Sequence, residues 1–309
     1  MLRPILLALS DKRGLARLAL RHPVLRRAAL RFVAGERLDE AVSAIRGLNA
    51  AGLAATLDHL GEHTTTRSGA EASAGAYLAI LDELHRTGVD SNLSLKLTQL
   101  GLDLDETLCA AHLGRILERA GDTFVRIDME SSQYIEPTLR LFERLWGAGR
   151  RNVGVVIQSY LHRSPSDVER LIALGARVRL VKGAYAEPPS VAFPLKRDVA
   201  AAFARLTEQL LRRGVYPAIA THDERLIAAA SQVATAHGIA RDRFEFQMLY
   251  GIRRDLQVRL HREGYRVRVY VPFGGEWYPY FMRRLAERPA NVMFVIGSLV
   301  RERGGRGQG

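Results

Sequence analysis

From about residue 54 onward, short aliphatic and β-branched runs alternate with longer stretches whose apolar positions recur at helical spacing. The short runs are "AATLDHLGE", "NLSLKLTQLG", "TFVRIDME", "NVGVVIQSY", "ARVRLVKGAY", "YPAIATH", "RFEFQMLYG" and "RVRVYVPFG", and each predicts a strand. Stretches such as "AGAYLAILDELHRTG", "DETLCAAHLGRILERAG" and "VAAFARLTEQLLRRG" lie between them and predict amphipathic helices, several closed by a glycine where a helix C-terminus favours one. Eight strands alternating with helices predict an α/β architecture, a parallel sheet closed into a (βα)8 TIM-type barrel over residues 51–300. An open doubly wound sheet fits less well, because no G-x-G-x-x-G follows the first strand. Residues 1–50 carry helical patterning, for example "RLDEAVSAIRGLNAAG", and predict an N-terminal helical arm packed on the barrel. The tail at 301–309, "RERGGRGQG", has the composition of a disordered end.

Composition narrows the function classes. The chain has 309 residues, 47% hydrophobic and 25% charged, as ordinary globular proteins do. Cys109 is the single cysteine, which excludes a disulfide framework and a cysteine-based zinc site and fits a reducing, cytoplasmic setting. Its surroundings, "LCAAHL", predict a buried helix position. The net charge of +12 raises the question of nucleic acid or anionic membrane. Only four of the 45 basic residues are lysine, however, a bias that points to overall composition rather than to a binding surface. No basic run interleaved with aromatics is present, so no nucleic-acid partner is expected. The basic amphipathic stretch "DKRGLARLALRHPVLRRAALRF" predicts packing helices, with contact to the inner face of the cell membrane as the alternative. No apolar run reaches the roughly eighteen residues of a membrane span. "MLRPILLALS" is followed at once by Asp11, Lys12 and Arg13 and makes a poor signal peptide.

Candidate chemistry collects at the strand ends, which a parallel barrel gathers on one rim. There stand Glu62, Lys96, Asp128, Gln158, Arg179 with Lys182, Thr221 with His222, Gln247 and Tyr270. A rim that merely turned the chain would show more Gly, Asn and Ser. Lys96, flanked by Leu95 and Leu97, is expected to face the barrel with Asp128 as its partner. His222 could equally be a helix-start residue beside Asp223 as the cap. In "VKGAY" a glycine lets the backbone approach a ligand next to a lysine. Farther on, Tyr280, Arg283, Arg284 and Glu287 fall at i, i+3, i+4 and i+7, one face of a helix. Two adjacent guanidiniums repel each other unless an anion lies between them, and their planar forks suit a carboxylate or a phosphate. The nine histidines show no paired ligand spacing, so no metal is expected.

Taken in order, "LSLKLTQLG", "VRIDME", "VIQSYL", "RLVKGAY", "IATHD", "FEFQMLYG", "VYVPFG" and "YPYFMRRLAERPAN" resemble the proline dehydrogenase family in its monofunctional bacterial form, over about residues 54–297. The resemblance implies a barrel holding FAD non-covalently and oxidation of L-proline to Δ1-pyrroline-5-carboxylate, with electrons passed to a quinone at the membrane surface. By position, Arg283 and Arg284 would hold the substrate carboxylate. Lys96, Tyr270, Tyr280 and Leu249 would line the proline pocket, and Glu62 would close it by pairing with the second arginine. Asp128, Arg179 and Lys96 would serve catalysis. Met129, Gln158, Arg179, Lys182, Gly183, Ala184, Tyr185, Thr221, His222, Gln247 and Glu287 would contact the flavin. No aldehyde dehydrogenase half accompanies the barrel, so a separate pyrroline-5-carboxylate dehydrogenase is expected downstream. Ala186 stands where some relatives carry an aromatic over the cofactor. Two rivals remain: an aldolase-like lyase forming a Schiff base on Lys96 or Lys182, and a non-catalytic basic protein binding nucleic acid or anionic lipid.

Overall fold

The computed structural model describes residues 29–287. In chain order these form α1 (Leu38–Ala50), β1 (Ala54–His59), α2 (Arg67–Thr87), β2 (Ser91–Leu95), α3 (Glu106–Ala120), β3 (Val125–Ile127), α4 (Ile135–Gly147), β4 (Val153–Gln158), α5 (Ser164–Ala173), β5 (Val178–Val181), α6 (Lys196–Arg213), β6 (Ala218–Ala220), α7 (Glu224–Ala236), β7 (Glu245–Leu249), α8 (Arg254–Arg262), β8 (Arg266–Phe273) and α9 (Trp277–Glu287). The eight strands are parallel neighbours in sequence order, and β1 closes on β8 with Thr56 beside Tyr270. The barrel predicted from the alternating pattern is therefore present.

The local chemistry explains the element ends. Thr66 caps α2 by accepting a hydrogen bond from the Gly69 amide, and Asp105 caps α3 by accepting from Thr107 at 2.8 Å. Strands covered on both faces read as unbroken aliphatic runs, and every residue of β4 is buried. The strands are shorter than the runs that predict them. "NLSLKLTQLG" leaves the sheet after Leu95 and tightens into a 3-10 turn at Leu97–Leu100, which Gly101 ends at φ +95.

The described portion of the amino-terminal arm is helical over Leu38–Ala50, and Ala41, Val42 and Ile45 are buried. Residues 30–37 lead into this helix through a turn at 30–32 and bends. There the Ala34 amide bonds the Pro272 carbonyl at 2.8 Å, so the chain is tied to β8 rather than free to coil. Residues 1–28 and the tail at 301–309 lie outside the described residues. Phe32, Val33, Ile252, Trp277, Phe281 and Leu285 make a second apolar cluster beside the main core. Phe281 lies 6.1 Å from Phe32 and 5.9 Å from Trp277, ring centre to ring centre. This packing fixes α9 by its apolar face and decides where its two arginines point.

Candidate active site

Asp128 follows β3 directly, and its amide donates to the Leu95 carbonyl at 2.8 Å. Its carboxylate receives three donors. Arg179 Nη1 lies 2.9 Å and Ser94 Oγ 3.0 Å from Oδ1, while Tyr270 Oη donates to Oδ2 at 2.9 Å. Arg179 Nη2 also donates to Ser94 Oγ at 3.1 Å, and its guanidinium carbon stands 5.4 Å from the Tyr270 ring centre. Burial, reinforced by Asp128 and Asp58, pushes the Tyr270 phenol well above its usual range, so it remains a proton donor.

Lys96 has a different partner from the one expected. Its Nζ lies 3.4 Å from Asp58 Oδ1, because β1 and β2 are neighbours with Asp58 beside Ser94 in register. Asp128 is already engaged by Arg179, Ser94 and Tyr270, and reaches Lys96 through charge alone. Burial by itself would lower the Lys96 pKa, but Asp58, Asp128 and Glu62 outweigh it and raise the value. Lys96 therefore stays an ammonium, which is unsuited to the amine nucleophile of Schiff-base chemistry. For Asp58, burial pushes the carboxyl up against the pull of Lys96. Asp58 is fully buried and was missed from sequence. A signal existed: Thr56 and Asp58 share one face of β1, opposite Ala55 and Leu57, so polar groups recur on a single side.

Arg284 and Tyr280 are buried on α9, with the Arg284 guanidinium carbon 5.0 Å from the Tyr280 ring centre. Arg283 Nη1 donates to Glu62 Oε1 at 2.5 Å. Glu62 thus pairs with the first arginine of the doublet, whereas the resemblance implied the second. Glu62 lies past the end of β1, in the loop before α2. Burial alone would raise its pKa; Arg283 and Lys96 overcome that and hold the carboxyl below its ordinary value. Tyr185 belongs to the same group. Burial pushes its phenol up, and the charges of Glu62 and Glu130 act in the same direction.

The remaining predicted residues have identifiable surroundings. Gln158 Nε2 donates to the Glu130 carbonyl at 2.9 Å, and Met129 is buried in the main core. Lys182 Nζ donates to Asp223 Oδ2 at 2.9 Å. Gly183 adopts φ +116, and a Cβ there would collide with the Tyr160 ring, so glycine is required. Ala184 follows it in the same loop. Thr221 Oγ1 accepts from the Asp223 amide at 3.1 Å. His222 Nε2 accepts from the Leu249 amide at 2.8 Å, which places the proton of the neutral ring on Nδ1. Leu249 packs against the α9 cluster. Gln247 donates to Glu245, itself hydrogen-bonded by Arg268 at 3.1 Å. The Glu287 side chain lies outside the described residues. A cavity of about 710 Å³, lined by Arg177, Arg266 and Arg268 among others, opens at the amino-terminal ends of the strands. That face of a barrel serves stability rather than chemistry.

Comparison with known proteins converges on one family. A family model described as proline dehydrogenase matches residues 41–296. A protein named proline dehydrogenase 1, from Bacillus subtilis subsp. natto, is 43% identical over 304 residues, covering 98% of this chain and 100% of that one. A proline dehydrogenase from Deinococcus radiodurans is 43% identical over 279 residues, covering 88% of this chain and 90% of its own. Among solved structures, proline utilization A from Bdellovibrio bacteriovorus, inactivated by N-propargylglycine, superposes with a TM-score of 0.79 at 26% identity. That match covers 84% of this chain and 32% of the larger protein.

Proposed function

The chain belongs to the proline dehydrogenase family, and from that premise we propose that it oxidises L-proline to Δ1-pyrroline-5-carboxylate with FAD as the hydride acceptor. The observation that carries this reading is the adjacent, inward-held Arg283 and Arg284 on α9, above a rim of buried polar side chains. A pair of guanidinium forks suits the carboxylate of an amino acid. Arg284 and Arg283 would grip it, with Tyr270, Tyr280, Tyr185 and Leu249 walling the ring and Lys96 supplying a fixed positive charge below.

The residues present fit a flavin. Arg179 Nε is buried and donates no hydrogen bond among the described residues, which leaves a donor at the rim. Gln158, Lys182, Thr221 and His222 offer further polar groups, and Gly183 lets the loop backbone lie directly against the Tyr160 ring. These residues, with Met129, Ala184, Tyr185, Gln247 and Glu287, would hold the cofactor. When bound, the flavin supplies an acceptor for hydride. The chain's own part is alignment and electrostatics. Asp128, tied by three donors, fixes Arg179 and Tyr270 in place. Tyr270, kept protonated, holds its hydroxyl on Asp128 and turns its ring to the substrate side. Arg283 exchanges Glu62 for the incoming carboxylate, so that the mouth opens and closes with substrate.

Electrons would pass to a quinone. No described helix is long and apolar enough to cross a membrane; the quinone would be met at the membrane surface, from the cytoplasmic side. The product would pass to a separate pyrroline-5-carboxylate dehydrogenase. The test is turnover of L-proline with a soluble quinone, with the product identified by mass. Formation of the cyclic imine is expected, and absence of turnover in flavin-loaded protein would refute the reading. A Schiff-base lyase would instead be trapped covalently by borohydride, on Lys96 or Lys182.

A further inference from the structure

At the mouth of the barrel, Glu62, His63 and Glu130 each present one ligand atom, all within 4.8 Å of one another. Two carboxylates and an imidazole make a mixed oxygen and nitrogen donor set, which suits zinc and its first-row neighbours. We propose that these three side chains bind a zinc-class divalent cation, and that the bound cation ties the loop after β1 to the barrel and hinders entry of substrate.

Support lies in what holds the three donors. His63 Nδ1 lies 3.2 Å from Asp103 Oδ2, and Asp103 Oδ1 in turn accepts the Tyr134 hydroxyl at 2.7 Å. A carboxylate on one ring nitrogen orients an imidazole and strengthens it as a ligand, the usual outer partner of zinc-bound histidine. The His63 ring also rests 5.8 Å from the Tyr134 ring centre. Its backbone stands at φ +55, a conformation unusual for a residue other than glycine, so the chain holds strain to present this side chain. Glu130 is buried and doubly anchored, accepting the Thr98 hydroxyl at 2.6 Å and the Thr98 amide at 3.2 Å. Each carboxylate oxygen has a second lone pair, so neither bond removes Glu130 as a ligand. Glu62 gives Oε1 to Arg283 and keeps Oε2.

A cation here would bridge Glu62, in the loop between β1 and α2, to Glu130, just past β3. Glu62 would no longer swing freely on and off Arg283. This consequence rests on reading the mouth as the proline entrance; cation binding itself does not. Zinc is favoured over magnesium, which demands octahedral oxygen coordination and dehydrates reluctantly.

The experiment uses untagged full-length holoenzyme freed of metal, with equilibrium dialysis against zinc chloride and steady-state kinetics in parallel. His63→Gly removes the ring and accepts the left-handed backbone, so the fold and the activity without zinc are retained. One zinc per chain is expected in the wild type, with binding weakened at least about tenfold in His63→Gly and roughly tenfold in Asp103→Asn, in line with losses on removing outer partners. Zinc should raise the KM for proline in the wild type and leave it unchanged in His63→Gly. Zinc binding that is absent, or equal in the wild type and His63→Gly, overturns the site. Binding at the site with an unmoved KM overturns its effect on substrate entry while leaving the site standing.

Discussion

Arg179 on β5 donates to Asp128 just past β3 at 2.9 Å, spanning the intervening strand β4. The same carboxylate takes the Tyr270 hydroxyl from β8, so one anion ties together three separate parts of the barrel rim. Replacing that aspartate with the isosteric asparagine keeps the shape and removes the charge. A hydrogen bond to a charged group contributes about 1.5–3 kcal/mol, so Asp128→Asn should lower kcat by roughly 10- to 100-fold. Absorbance at the flavin band should show cofactor content preserved, and unchanged kcat would remove Asp128 from catalysis.

Tyr270→Phe separates the hydroxyl from the ring. The 2.9 Å bond to Asp128 and the hydroxyl's interaction with buried Asp58 are lost, while the aromatic wall remains. The bond is to a charged group, so about 1.5–3 kcal/mol is at stake, or roughly 10- to 100-fold in kcat/KM. Thermal unfolding should barely move, and a large fall in Tm would mean that the hydroxyl serves the fold instead.

The Lys96–Asp58 pair predicts a coupled effect. Lys96→Met leaves Asp58 buried and uncompensated, a loss of about 3–5 kcal/mol when one partner of a buried pair is removed. The double variant Lys96→Met with Asp58→Asn should recover much of the Tm while proline binding stays impaired. Equal Tm values for the single and double variants would show that the two residues do not interact.

The Glu62–Arg283 bond sets a pH dependence. The folded pKa of Glu62 is depressed, so its stabilising contribution is fully present above the ordinary glutamate value of about 4.3 and is lost as pH falls through the lower folded value. Glu245, held down by Arg268 against its own burial, acts in the same direction. Acid unfolding should therefore begin below pH ~4.3 and be shallower in Glu62→Gln. A wild-type slope in that variant would contradict the assignment.

The sequence revealed some of this and hid the rest for physical reasons. β4 is buried on both faces and almost wholly aliphatic, so the run Val153–Gln158 stands out at once. The α9 arginines were legible because helical spacing alone brings Tyr280, Arg283 and Arg284 together. The partners were harder. Glu62 meets Arg283 across 221 residues of chain, and no local spacing distinguishes that arginine from its neighbour. Asp58 was passed over for Asp128 as the partner of Lys96, because the choice depends on the β1–β2 register, which one strand's pattern does not contain. His63 raised no suspicion either, since Glu130, which stands beside it and Glu62 in space, follows β3, two strands further along the chain.

The central claim is that buried guanidiniums on α9 seat an amino acid's carboxylate so that its ring delivers hydride to a flavin. The most direct measurement is anaerobic titration of purified, flavin-loaded protein with L-proline, followed by absorbance, beside the Arg284→Met variant. The account predicts bleaching of the wild-type flavin at substoichiometric to millimolar proline, and a midpoint at least about tenfold higher in the variant. A flavin that proline does not bleach, or a variant titrating like the wild type, would contradict it.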